Sequence, residues 1–347
     1  MKNMKRMNLH NQKHNFWIKG LSILSLSLPL QASTSGACSR TVLEHKAKES
    51  VEQWRQNMEN TKDISRDEGG LILYVAVEAK DSNKVKEVLE RIHQDNQSGA
   101  AANYKHDFPH SIGLNSKRTA FGRSLELGNA EIVRDLLNCP YIDLNKVGNN
   151  ATALLIALKN NKEEIAQILL NECPETKTLD ITSKDPKTGF TPLHLAIEKG
   201  FDKVTKALVH KLQSIDSLCA SDIKSRTPLH MAVRSNRQFA FQYVFDRIAK
   251  LSSKAVAIEK LFAKNKDGIS VFARAYLPRP IAWRNILKSG IDDIEMFTYV
   301  LRMVRDNLTP SQWDAITDEM LTLDYRGKFD VGDIDILRDI VAREKGK

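Results

Sequence analysis

The sequence predicts an all-α solenoid of about six helix-turn-helix units, with a capping helix at its amino end and a helical cap at its carboxyl end. Two observations carry that prediction. The hexamer Thr191-Pro192-Leu193-His194-Leu195-Ala196 returns as Thr227-Pro228-Leu229-His230-Met231-Ala232, and Leu71, Thr119, Thr152 and Ser270 open four further copies in the same register. The starts are 48, 33, 39, 36 and 43 residues apart, as in a repeat array whose loops vary while its helices do not. The second observation is what the register holds constant. Two places after each start stands a large apolar residue (Leu73, Phe121, Leu154, Leu193, Leu229, Phe272), and five places after it a small one (Ala76, Ser124, Ala157, Ala196, Ala232, Ala275).

Each element of the unit follows from its residue types. A threonine at a helix start accepts a hydrogen bond from the first-turn amides, and proline at the first helical position gives up only an amide that had no partner. Nine places after the start the chain must turn back, which suits residues at ease with positive φ, and Gly128, Asn161, Gly200 and Asn236 stand there. The terminal copies put Lys80 and Arg279 at this place and are expected to break the rule. Seventeen places on, Leu136, Leu169, Leu208, Val244 and Leu287 mark a second apolar helix, with Leu89 one residue late in the first copy. Over residues 69–290 this pattern resembles the ankyrin repeat. The resemblance implies that His194 and His230 tie neighbouring turns together by hydrogen bonds instead of serving catalysis.

The flanks read differently. Residues 1–32 carry five basic residues and no acid, then a Leu/Ile/Ser run from Leu21 to Leu30, the layout of a signal peptide with cleavage expected after Ala32. That run is about ten residues long, too short to span a bilayer as a helix. Residues 33–68 are expected to hold a linker and a capping helix whose apolar stripe runs through Val42, Leu43, Val51 and Trp54. Residues 291–347 form the carboxy-terminal cap or a partner module, with helices expected around Ile294–Val304, after Thr309, and around Ile334–Val341.

Charge is uneven. The chain carries a formal +9, yet residues 291–347 hold 13 acids and 8 bases, so the repeats are basic and the tail acidic. Basic repeats can meet nucleic acid, but no nucleic-acid motif or aromatic-basic stacking pattern accompanies them, and no such partner is expected. Four separated cysteines (Cys38, Cys139, Cys173, Cys219) lack the spacing of a zinc or redox motif, and Cys139 and Cys173 are expected as buried thiols. No catalytic signature is present, so neither metal, cofactor nor enzymatic activity is expected. The expected function is that of an exported, monomeric, non-enzymatic scaffold or adaptor for a protein with an acidic surface. The alternative is an enzyme or regulatory module in the carboxy-terminal region. By the resemblance, partners face the turn tips and the ends of the first helices, which selects Lys117, Arg118, Lys159, Asn160, Lys187, Phe190, Glu198, Lys199, Lys224, Arg226, Arg234 and Lys266, with Phe190 as apolar anchor.

Overall fold

A computed structural model describes residues 66–94, 106–109, 115–148, 151–276, 291–325 and 331–346. The expected signal peptide, the amino-terminal helix, Arg279 and Leu287 lie outside them.

The first helices of the six units are α1 (Arg66–Glu78), α3 (Ala120–Leu127), α5 (Ala153–Lys159), α7 (Pro192–Lys199), α10 (Pro228–Arg234) and α13 (Val271–Tyr276). Each packs on the next. Their second helices are α2 (Ser82–Gln94), α4 (Ala130–Asn138), α6 (Glu163–Asn171), α8 (Asp202–Lys211) and α11 (Gln238–Leu251), stacked in a parallel layer. Short helices α9 (Ile215–Leu218) and α12 (Lys254–Leu261) fill the longer connections. The architecture is the all-α solenoid, with one addition. An antiparallel hairpin of β1 (His106–Pro109) and β2 (Asn115–Arg118), in register His106 with Arg118, sits inside the 48-residue interval between the first two copies.

The register is the core. All six residues two places after a start are at most 1% exposed and all six small residues at most 3%, so neighbouring first helices meet at side chains with no bulk to keep them apart. Leu136, Leu169, Leu208 and Val244 are fully buried. In the first copy Val88 takes the in-register place at 3% exposure and Leu89 only packs against the cluster, so that unit is not one residue late.

The turn-back position keeps its geometry more widely than its composition suggests. Gly128, Gly200, Asn161 and Asn236 have φ of 75, 75, 57 and 52°, and Lys80 joins them at 56°. A lysine there carries the strain of a left-handed residue. The first copy therefore departs from the pattern in residue type and follows it in conformation.

The histidine ties form as the resemblance implies. Nε2 of His194 lies 3.0 Å from the carbonyl oxygen of Arg226, and Nε2 of His230 lies 3.2 Å from that of Ile269. The Thr191 and Thr227 amides donate to the respective Nδ1 atoms, at 3.3 and 3.2 Å. An accepting Nδ1 leaves the proton on Nε2, which donates to the next unit's carbonyl. Burial lowers both imidazole pKa values to about 4, keeping the rings neutral.

After α13, helix α14 (Ile291–Val304) packs on it and reaches α11, where the Tyr299 hydroxyl is 3.2 Å from Gln242. Helices α15 (Pro310–Tyr325) and α16 (Val331–Lys345) close this end. The Ser270 amide and hydroxyl donate to Glu319 of α15, at 3.0 and 2.5 Å. Glu344 of α16 is nearly buried between Arg302 and Arg305, at 3.3 and 2.5 Å. No described helix is long and apolar enough to cross a membrane.

Candidate functional site

The first helices have little left to offer a partner. Ala153–Leu158, Pro192–Ile197 and Pro228–Val233 are buried without a break, and only Lys159, Glu198, Lys199 and Arg234 emerge in the last turns. What this layer leaves in solvent is those ends and the turn tips that precede each helix.

Three tips, around residues 184–190, 221–226 and 264–269, are built alike. Each starts on an Asx side chain that accepts backbone amides. Asp185 takes the amide and hydroxyl of Thr188 at 3.1 and 2.7 Å, Asp222 takes the amides of Lys224 and Arg226 at 2.8 Å each, and Asn265 takes those of Asp267 and Ile269 at 2.9 and 3.0 Å. Such local acceptance is how Asp and Asn shape turns. Neighbouring tips are joined by backbone hydrogen bonds: the Ile223 amide donates to Thr188 (3.2 Å) and the Lys266 amide to Lys224 (3.0 Å). The tips thus form one linked row.

This construction sorts the charges. The Asp185 and Asp222 side chains are 2% and 0% exposed, the first paired with Lys159 and the second with Arg226 at 2.6 Å. Burial alone would raise both carboxyls; hydrogen bonds from Lys159 and Thr188 in one case, and from Arg226 and backbone amides in the other, hold them below the usual carboxylate range. The acids point inward. Lys187, Lys224 and Lys266 are exposed, with no ion-pair partner among the described residues, while Lys184 reaches the Ser221 carbonyl at 2.6 Å. Asp267 is exposed on the third tip.

Several expected site residues change role. Phe190 is 6% exposed, stacked on His194 with ring centres 5.6 Å apart and covered by the Arg226 guanidinium at 5.4 Å. It is a core residue and cannot be the anchor, because the tip folds back over it and its carbonyl accepts the Asp185 amide at 2.8 Å. Arg226, its side chain 15% exposed, belongs to the frame through Asp222, and Lys159 is tied to Asp185. Lys187, Lys224 and Lys266 share the tip row; Asn160, Glu198, Lys199 and Arg234 are exposed at helix ends. Lys117 and Arg118 lie in β2, opposite Asp107 and His106.

The sequence reading passed over Ile223, an exposed large apolar side chain at 52%. A signal for it existed. An Asx stands five or six places before Thr191, Thr227 and Ser270, and marking it as the turn's inward residue places Ile223 next to it on the outside. Phe239 on α11, 39% exposed, packs at a tilt against Tyr243 with ring centres 4.5 Å apart, and Lys206 lies over the Tyr243 ring. A cleft of about 240 Å³ near Thr191 and Leu212 has Asp216 as its one ionisable lining residue. Among the described residues no group of three His, Cys, Asp or Glu is placed to hold a metal ion. Cys139 is buried as expected, whereas Cys173 and Cys219 are half-buried; burial raises all three thiol pKa values.

The family model for ankyrin repeats (three copies) matches residues 121–219 and 177–255. Among solved structures, a chain of the complex between the Bdellovibrio bacteriovorus predatory endopeptidase Bd0816 and immunity protein Bd3460 is similar at 19% identity and a TM-score of 0.42, over 58% of this chain and 89% of that one. The ankyrin repeat domain of Bcl-3 is similar at 18% identity and a TM-score of 0.39, over 63% of this chain and 98% of that one. Residues 121–255 thus carry the repeat pattern that the ankyrin family model describes.

Proposed function

We propose that this repeat protein is an exported, non-enzymatic scaffold that holds a protein partner with an acidic face against its row of turn tips. One observation carries the reading. The tips bury their own carboxylates at Asp185 and Asp222 and leave Lys187, Lys224 and Lys266 in solvent, so the outward field is more positive than the local composition. A field of one sign steers an oppositely charged partner and sets its orientation. The continuous burial of the first helices supports the same conclusion, since it leaves the tips and helix ends as the exposed part of that layer. The carboxy-terminal helices serve this scaffold as its end cap, with Glu319 on Ser270 and Glu344 on Arg302 and Arg305. Export rests on the leader-like residues 1–32.

Affinity capture from the source organism with residues 33–347, followed by mass spectrometry, tests the scaffold reading. It predicts a protein bound at low salt and released by Lys187→Glu with Lys224→Glu. A captured partner indifferent to both changes contradicts the site. Amino-terminal sequencing of the native protein tests export, with a start near Ser33 expected and recovery of residues 1–20 against it.

A further inference from the structure

We infer that the tip row takes an extended acidic segment of the partner protein, with one aliphatic side chain seated on Ile223 and acids on either side facing Lys187, Lys224 and Lys266. This rests on the scaffold reading and adds the chemistry of the partner. Ile223 is held out by construction. Its amide is bonded to Thr188 of the preceding tip, and Asp222 beside it is fixed under the tip by Arg226. The two tips approach so closely that a Cβ on Gly189, whose φ is +71°, would stand 2.7 Å from the Ile223 nitrogen and 3.0 Å from its Cγ2. The isoleucine cannot withdraw without breaking this contact, and it stays 52% exposed.

The lysines are placed around it in order. Lys187 belongs to the preceding tip, Lys224 follows Ile223, and Lys266 donates its amide to the Lys224 carbonyl from the next tip. A chain running along the row meets cation, aliphatic, cation and cation in turn, with the exposed Asp267 following Lys266 on the last tip. An aliphatic flanked by acids matches that order. A phosphate backbone would match the lysines and leave Ile223 in water. A membrane surface is a poorer fit, since binding there scales with apolar area on one face and the row exposes one aliphatic.

Selection of random twelve-residue displayed peptides on the immobilised full chain tests the inference. Peptides with several acids around a Leu, Ile, Val or Met are expected. Synthetic copies, followed by fluorescence anisotropy, should bind at least tenfold more weakly to Ile223→Ser and to Lys187→Glu/Lys224→Glu, with both variants melting like the parent. Neutral or basic winners, acidic winners indifferent to Ile223→Ser, or no enrichment would overturn the inference, while protein capture by the native chain would still stand. Tighter binding of single-stranded oligonucleotides or anionic lipid vesicles than of any selected peptide, lost in the lysine variant, would also overturn it.

Discussion

The helix layer and the tip layer of the same repeats use their side chains in opposite ways. From Pro192 to Ile197 and from Pro228 to Val233 every residue is buried, because each first helix has neighbours on both sides in the stack and a second helix behind it. In the tips the same units expose most of what they have, and burial is kept to the Asx residue and to the residues that lead back into the helix, Phe190 and Ile269 among them. Stacking fixes the helix sequences so tightly that they cannot also choose a partner. The tips are held from beneath, so their outward residues are free to vary without loss of fold.

The largest expected effect breaks the tip from below. Asp222→Ala removes the acceptor of two backbone amides and strands the Arg226 guanidinium, which should cost about 3 to 5 kcal/mol as for other broken buried pairs. Chemical denaturation checks it; a loss under about 1 kcal/mol would mean that the tips are not framed by their acids.

Next comes acid. Burial lowers the folded-state pKa values of His194 and His230 to about 4 from the ordinary 6.5 of histidine. Between those limits the unfolded chain binds protons that the native chain refuses, so stability falls as pH drops from about 6.5 towards 4, by on the order of 3 kcal/mol per histidine. Asp185 and Asp222, held low, add a further loss as pH falls through their own range below the usual carboxylate value. Denaturant midpoints from pH 7 to 4 should show the first drop in the parent and a flatter curve in a His194→Gln/His230→Gln variant.

Ala196→Leu or Ala232→Leu tests the helix layer. Both positions are fully buried, and overfilling them should cost about 1 to 3 kcal/mol. An unchanged melting curve for both would break the register. The smallest effect belongs to the outward tip residues: Lys187→Glu with Lys224→Glu should move stability by no more than about 0.5 kcal/mol. A larger loss would show these lysines to be part of the frame.

The contrast also explains what the sequence disclosed. The seam residues, the turn-back geometry at Gly128 through Asn236 and the histidine ties were legible because each recurs at a fixed offset and each has one physical reason to do so. The direction in which a tip residue points was not, because Phe190, Arg226 and Ile223 are close in type to residues that face either way in a turn. Only the hydrogen bonds of Asp185 and Asp222 decide it. Glu319 was out of reach for another reason. It lies 49 residues from the Ser270 it caps, and such a contact exists only once the solenoid end is assembled.

The most direct test of the tip row as the docking surface is the association rate of the captured partner at about 50 and 300 mM salt, on the parent and on Lys187→Glu/Lys224→Glu/Lys266→Glu. Electrostatic steering raises encounter rates steeply at low salt. The parent should associate at least about tenfold faster at the lower salt, and the variant slowly and with little salt dependence. Equal rates and equal salt slopes for the two proteins would contradict the account.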